Sequence, residues 1–225
     1  MAEIDRLMME RFGVNTYQLM ELAGYAVADA VRRRKDSKLS ARILALAGTG
    51  GNGGDAMVAA RLLAGWGHRS TVILSRPRAH YSGIAAHQLN SLDALGISVL
   101  EPTDVESLPD TDLIIDGLLG FRLRGNPTGE AARLISLANA SSSPVVAIDV
   151  PSGLNADTGA VGDPCVHANQ TVTLALPKTG LIAADTSVTG EVVVGDIGLP
   201  SEVYGLIGVE VDPGIFATDN LVRVR

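Results

Sequence analysis

The sequence predicts an α/β fold with a mostly parallel central sheet and a long helix near the N-terminus. Short apolar segments alternate along the chain with segments of helical periodicity, and three of the apolar segments contain no polar residue. Strands covered by helices on both faces have this uninterrupted apolar character. Alternating strands and helices in turn indicate parallel strands joined by right-handed crossovers.

Seven strands are predicted, at residues 43–47, 71–74, 98–100, 113–115, 145–148, 171–176 and 191–194. Helices are predicted between them at residues 55–66, 79–95 and 128–138. A leading helix is predicted within residues 15–34, with Asn15 or Thr16 as its cap and Leu19, Ala23 and Val27 on one face. This helix must pack on a sheet face or contribute to a dimer interface. The loosely patterned residues 208–225 are predicted to be an ordered tail or the start of a linker.

Composition narrows the possible functions. Hydrophobic residues make up 46% and charged residues 19% of 225 residues, which predicts one domain over residues 1–225 with a sizeable core. A formal net charge of −7 argues against nucleic-acid or anionic-membrane partners. The single cysteine, Cys165, cannot form an internal disulfide, and we interpret it as an inert residue in a reducing, cytoplasmic protein. The N-terminus contains acidic residues and does not resemble a targeting peptide.

A glycine-rich segment follows the first predicted strand. Residues 48–53, with the sequence GTGGNG, match the G-x-G-x-x-G pattern of dinucleotide-binding loops. The second strand, however, is not followed by the acidic residue that usually binds the ribose hydroxyls; Arg76 is there instead, either to bind a 2′-phosphate or simply exposed. Asp55 would repel a phosphate at this position. It either caps the next helix or faces a ligand through hydroxyl or amide groups.

Polar side chains also follow the fourth and fifth strands, which should neighbour the first. In parallel sheets the ligand lies beyond the carboxyl ends of the strands, so Asn52, Asp116, Asp149 and Ser152 are expected to meet there. Carboxylates after apolar strands are costly unless paired, hydrogen-bonded or bound to a cation. A hard cation accepting oxygens from Asn52, Asp116 and Ser152 would satisfy this requirement, and so few formal charges suit a monovalent ion. Asp149 could alternatively cap the turn that follows it.

Three basic residues have two interpretations each. Arg122 and Arg124 follow the fourth strand, and Lys178 follows the sixth. They could neutralise a pyrophosphate group, or they could simply be exposed to solvent.

Five segments occur in an order that resembles a known family. They are GTGGNGGD, DGLLGFRLRG, VVAIDVPSGLNADTGAVG, TVTLALPKTGLI and GEVVVGDIGLP, and the resemblance extends from about residue 3 to residue 200. The family is that of the NAD(P)H-hydrate epimerases, also called the YjeF N-terminal domain. The resemblance implies a Rossmann-like three-layer αβα sandwich, often homodimeric. It also implies an isomerase that interconverts R- and S-NAD(P)H hydrate (NAD(P)HX), alongside an ATP- or ADP-dependent dehydratase.

The resemblance also assigns residues. Asn52, Asp116 and Ser152 match the family's ligands to one K⁺ per subunit, and Asp149 is our candidate for proton transfer, with Lys178 as the second candidate. The matching substrate-binding residues, besides Asp149, are Gly51, Asn52, Gly53, Gly54, Asp55, Gly120, Phe121, Arg122, Leu123, Arg124, Gly125 and Asn126.

Some positions depart from the family pattern. Gly51 replaces a usual asparagine, Ala56 replaces a usual glycine, and Gly120-Phe121-Arg122 stands where Gly-Thr-Gly is common in bacteria. Two rival functions stay open: a catalytically silent ligand- or protein-binding module of the same fold, and an NADP-dependent oxidoreductase. The sequence does not decide between NADHX and NADPHX.

Overall fold

The computed structural model describes residues 2–34 and 39–224. Eight strands form one sheet in the order β3-β2-β1-β4-β5-β6-β7-β8. The strands are β1 (Arg42–Ala47), β2 (Arg69–Leu74), β3 (Ser98–Leu100), β4 (Leu113–Gly117), β5 (Val145–Ile148), β6 (Gln170–Leu174), β7 (Glu191–Gly195) and β8 (Leu221–Arg223). The first seven are parallel and only β8 is antiparallel. The predicted mostly parallel α/β fold is confirmed.

The helices of the described chain cover both faces of this sheet. They are α1 (Ala2–Arg11), α2 (Thr16–Arg33), α3 (Gly51–Gly65), α4 (Gly83–Ala94), α5 (Gly129–Ala140), α6 (Thr179–Ala183), α7 (Thr186–Thr189) and α8 (Ser201–Leu206). Alternate residues of β1 separate the two cores: Ile43 packs with α2, α3 and α4, whereas Leu44 packs with α5. This arrangement is the predicted three-layer sandwich.

The N-terminal helix is preceded by one that the sequence did not predict. Helix α2 begins after a capping box, in which the Gln18 N–H donates to the Asn15 side-chain oxygen and the Asn15 N–H donates to the Gln18 side-chain oxygen, so Asn15 is the cap. The preceding α1 packs its apolar residues against α8. Helix α2 covers the sheet, which is one of its two predicted roles, and packs closely on α3, where Gly24 leaves room for Val58.

Several boundaries differ from the prediction. Helix α3 begins at Gly51, because the glycine-rich segment forms its first turn. The predicted strand at 171–176 ends at Leu174, because Ala175 adopts a positive φ of 65°. Within the C-terminal segment at 208–225, predicted as a tail or linker, Leu221–Arg223 pairs with β7. Among the described residues, no helix is both long and apolar enough to cross a bilayer.

Candidate active site

The carboxyl ends of β1, β4, β5 and β6 bring the predicted polar residues together. Asp116 lies in β4 between Leu46 of β1 and Ala147 of β5. Asp149 directly follows β5, and its backbone N–H donates to the carbonyl of Val172 in β6 at 2.8 Å. The apolar strands therefore carry two carboxylates to one edge of the sheet, where Asp116 is 1% and Asp149 is 3% exposed.

Asn52 and Ser152 both contact the Leu119 carbonyl, and Ser152 contacts Asp116; we call these three residues the oxygen cluster. The Ser152 hydroxyl donates to Asp116 Oδ1 at 2.6 Å, and the Ser152 N–H donates to Asp116 Oδ2 at 2.8 Å. The Asn52 amide nitrogen donates to the carbonyls of Ile148 at 2.8 Å and Leu119 at 3.4 Å. These bonds direct the Asn52 side-chain oxygen towards Gly120, where a Cβ atom would lie 2.7 Å from it. A larger residue at position 120 would therefore have to displace the Asn52 side chain.

The charge of Asp116 is poorly compensated within the oxygen cluster. Its hydrogen-bond donors are the Ser152 hydroxyl and the backbone N–H groups of Ser152 and Leu118, all of which are neutral. Complete burial raises the pKa of this carboxyl, against the opposing effect of these three bonds. The donor set that this cluster offers contains only oxygens and one formal charge. It consists of the Asp116 carboxylate, the Ser152 hydroxyl, the Asn52 amide oxygen and nearby backbone carbonyls. Such a set fits a hard monovalent cation.

A buried ion pair joins the two predicted catalytic residues. Lys178 Nζ donates to Asp149 Oδ1 and to the Leu174 carbonyl at 2.9 Å, and its side chain is only 11% exposed. The Leu174 N–H donates to Asp149 Oδ1 at 3.2 Å. Lys178 is therefore not solvent-exposed. The Asp149 carboxylate binds β6 and Lys178 in place of capping its own turn.

Two strained turns shape this ion pair, and the sequence reasoning did not predict them. Asp149 has a φ of 66°, and the Val150 N–H donates to the Ile148 carbonyl at 2.8 Å. Ala175 has a φ of 65°, and the Leu176 N–H donates to the Leu174 carbonyl at 2.7 Å. Both are γ-turns of the rare positive-φ form. Such strain concentrates at functional sites, but neither residue is a glycine that would have indicated it.

A cavity of about 130 Å³ opens beside Asp149. Its walls come from the glycine-rich turn, from Phe121 and from the N-terminal half of α2. The lining residues are Thr16, Leu19, Met20, Ala23, Gly51, Asn52, Asp55, Phe121, Asp149, Leu174 and Ile197. The contribution of α2 was missed, because its apolar periodicity indicated packing only. Helix α2 reaches the cavity by packing on α3 at Gly54, where a Cβ atom would meet the Met20 side chain. A contact between two helices of this kind has no signal in the local sequence pattern.

The predicted substrate-binding residues divide among several positions. Gly51 and Asn52 in the first turn of α3 and Asp55 in the second line the cavity, whereas Gly53 and Gly54 are buried. Asp55 lies in the second turn of α3 and Gly50 is the N-cap, so Asp55 does not cap the helix.

The loop after β4 faces two cavities. Phe121 lines the first, whereas Leu123, Gly125 and Asn126 line a second of about 130 Å³. Arg122 and Arg124 are exposed. The Arg122 guanidinium carbon lies 5.5 Å from the Phe121 ring centroid, and Arg124 Nη1 lies 4.0 Å from Asp157 Oδ2. Arg76 is also exposed, after β2. The structure therefore does not bring these arginines into the cavity beside Asp149.

Comparison with known proteins places this chain in a family. The model of the YjeF-related protein N-terminus matches residues 16–180. An NAD(P)H-hydrate epimerase of Dehalogenimonas lykanthroporepellens is 39% identical over 225 residues, which are 100% of this chain and 90% of the relative. An NAD(P)H-hydrate epimerase of Rhodopirellula baltica is 36% identical over 205 residues, covering 89% of this chain and 83% of the relative.

Longer relatives and a solved structure agree with this assignment. The bifunctional NAD(P)H-hydrate repair enzyme Nnr of Moorella thermoacetica is 36% identical over 213 residues, covering 90% of this chain but only 40% of the relative. The crystal structure of the yeast protein YNL200c superposes with a TM-score of 0.81 at 28% identity, covering 99% of this chain and 96% of that one. The chain therefore belongs to the family of the YjeF-related protein N-terminus.

Proposed function

We propose that the protein is an NAD(P)H-hydrate epimerase, an isomerase that interconverts the R and S forms of hydrated NADH or NADPH. The observation that carries the proposal is the Asp149 carboxylate, ion-paired with Lys178 at the wall of a largely apolar cavity. The two epimerases that match most of this chain and most of their own length support the same activity. An oxidoreductase function has no comparable support.

The reaction that we propose exchanges a hydroxyl group between the two faces of one ring carbon. The carbon–oxygen bond next to the ring nitrogen breaks with its electron pair on oxygen, and the nitrogen lone pair forms an iminium ion. A proton from the Asp149–Lys178 pair converts the departing hydroxyl into water. Water then adds to the other face and returns a proton to the pair, so that atoms and charge balance.

Asp149 has two roles in this reaction. Its negative charge stabilises the cationic iminium ion, which forms only during the reaction, and its carboxyl group carries the proton. The contacts of this carboxylate with Lys178, Thr173 and the Leu174 N–H all engage Oδ1, and we assign the proton transfer to Oδ2. Lys178 keeps the carboxylate oriented and supplies the positive charge that stabilises a buried anion.

In this proposal Asn52, Asp116 and Ser152 hold K⁺. The oxygen-only donor set and the uncompensated charge of Asp116 support this choice. Bound K⁺ would neutralise Asp116 and tie together the segments that follow β1, β4 and β5. Among the described residues, no group of three or more His, Cys, Asp or Glu could hold a metal ion, so the proposed K⁺ site relies on amide, hydroxyl and carbonyl oxygens beside a single carboxylate.

The remaining parts of the proposal concern the ligand and its partners. A cavity of 130 Å³ is smaller than typical pockets of about 300–1,000 Å³, so it accepts the hydrated ring and leaves the rest of the dinucleotide along the loop at 120–126. The functional partner is an ATP- or ADP-dependent dehydratase, as the bifunctional relatives suggest by name. We propose a cytoplasmic location and a homodimer.

A coupled assay tests the proposed function. The slow epimer of NADPHX is supplied to a dehydratase that consumes only the other epimer, and the recovery of NADPH is followed by absorbance. We expect this protein to accelerate recovery in proportion to its concentration. Recovery at the spontaneous rate would refute the proposal, and a silent binding module would give that result.

A further inference from the structure

Thr173 lies at the centre of the Asp149–Lys178 pair, although it does not line the cavity. It is in β6 and completely buried, and its hydroxyl oxygen lies 3.4 Å from each of three atoms: Asp149 Oδ1, Lys178 Nζ and the Leu176 carbonyl oxygen. We infer that Thr173 is a positioning residue that holds Lys178 and Asp149 in their reactive arrangement. This inference rests on the proposed epimerase function.

The first argument is the hydrogen-bonding capacity of the lysine. An ammonium group has three N–H donors, and Lys178 has three partners here: Asp149, Thr173 and the Leu174 carbonyl. A buried ion pair is favourable only when further hydrogen bonds satisfy its remaining donors. Removing the Thr173 hydroxyl leaves one N–H of a nearly buried cation without its partner. The flexible lysine side chain is then free to leave Asp149.

The second argument is the backbone that surrounds the hydroxyl. The γ-turn at Ala175 reverses the chain after β6, so that the Leu176 carbonyl faces back to Thr173 and Lys178 reaches Asp149. The buried Tyr204 hydroxyl donates to the Ala175 carbonyl at 3.2 Å and supports this turn. A strained turn persists only where its surroundings determine it, and the Thr173 hydroxyl is one of the polar groups inside it.

The chain provides a matched control on the same strand. Thr171 lies two residues before Thr173, on the same face of β6, and is equally buried. Its hydroxyl donates to the Thr189 carbonyl at 2.7 Å, whereas the Thr173 hydroxyl contacts Asp149 and Lys178. Thr171→Val and Thr173→Val therefore remove the same group from similar surroundings, but only one of them alters the pair.

Steady-state kinetics of four proteins in the coupled assay test the inference: wild type, Thr173→Val, Thr173→Ser and Thr171→Val. We expect Thr173→Val to lower kcat about ten- to hundredfold with little change in KM, because substrate binding is retained while the reacting groups are misplaced. Thr173→Ser keeps the hydroxyl and should recover most of kcat. Thr171→Val should keep the wild-type kcat, whatever its effect on Tm.

A double-mutant cycle with Lys178→Met decides whether Thr173 acts through the lysine. We expect Thr173→Val to cause little further loss of kcat once Lys178 is methionine, because the two residues act as a unit. If the losses of kcat from the two substitutions were additive, the inference would be overturned. It would also be overturned if wild type were active and Thr173→Val had the same kcat. A wild-type protein without epimerase activity would instead overturn the proposed function, and this inference with it.

Discussion

The two buried carboxylates at the ends of β4 and β5 have the same origin and different surroundings. Asp116 is the last residue but one of β4, Asp149 directly follows β5, and both are nearly inaccessible. Within residues 2–34 and 39–224, the hydrogen-bond donors to Asp116 are neutral groups of Ser152 and Leu118. Asp149 is ion-paired with Lys178 and borders the cavity.

This difference shows how similar local sequences can serve different chemistry. Asp116 lies within a regular strand, so its side chain enters the layer between the sheet and the following loop, where burial raises its pKa. Asp149 lies in a γ-turn that directs it to β6 and Lys178. We therefore assign cation binding to the first carboxylate and proton transfer to the second.

The largest expected effect is that of Asp149→Asn. An amide cannot exchange the proton or stabilise the iminium ion, so kcat should fall by about 10²- to 10⁴-fold. Because Lys178 loses its partner, Tm should also fall, while the circular dichroism spectrum stays that of a folded α/β protein. Activity within a few-fold of wild type in the coupled assay would remove Asp149 from the mechanism.

A glycine substitution in α3 tests the surroundings of Asp116. Asn52 belongs to the oxygen cluster only because α3 starts close to the end of β1. A Cβ on Gly53 would lie 1.8 Å from the Gly48 carbonyl oxygen, so Gly53→Ala should lower the free energy of unfolding by about 1–3 kcal/mol or more. Gly51→Ala is the matched control. A Cβ at Gly51 meets nothing within 4 Å, and the change in stability should be about 0.5 kcal/mol or less.

Urea denaturation measures both glycine variants. Equal stability of Gly53→Ala and Gly51→Ala would show that the close approach of Gly53 to Gly48 is unimportant. The proposed geometry around Asn52 would then lose its support.

The smallest expected effect is on the pKa of the Cys165 thiol, which responds to the charge of Asp116. Burial, and secondarily the negative charge of Asp116, raise the pKa of the thiol to about 12. Since an unfolded cysteine has a pKa of about 8.5, this group's contribution to stability is complete below that pH and is lost as pH rises towards 12.

Thiolate absorbance near 240 nm, followed against pH, tests the prediction for Cys165. We expect little thiolate in the folded protein below pH 10 and full reactivity with iodoacetamide only after denaturation. Asp116→Asn should lower the thiol pKa slightly, whereas Asp149→Asn should not. A thiol that titrates near pH 8.5 in the folded protein would contradict the burial of Cys165.

The sequence predicted the parts of the site that depend on regular structure. Apolar strands alternating with helices determine which strand ends meet, so the approach of Asn52, Asp116 and Ser152 followed from topology. The γ-turns at Asp149 and Ala175 could not be predicted, because their positive φ is imposed by neighbouring strands and not by glycine.

Other features depend on contacts between residues distant in sequence. The wall that Leu19 and Met20 of α2 form beside Asp149 requires the packing of α2 on α3. Strand β8 has three residues and is too short to produce a periodic pattern. The loop after β4 matches the family as one segment, yet Phe121 and Leu123 line different cavities, because side chains of an irregular loop have no fixed direction.

The central claim is that the two carboxylates have separate roles, and thermal unfolding in KCl tests it most directly. Wild type, Asp116→Asn and Asp149→Asn are compared in KCl and in choline chloride at equal ionic strength. K⁺ at ten times its Kd should stabilise a competent protein by about 1.4 kcal/mol, a rise in Tm of a few degrees. We predict this rise for wild type and Asp149→Asn and its loss in Asp116→Asn. An equal rise in all three proteins, or a rise lost only in Asp149→Asn, would contradict the account.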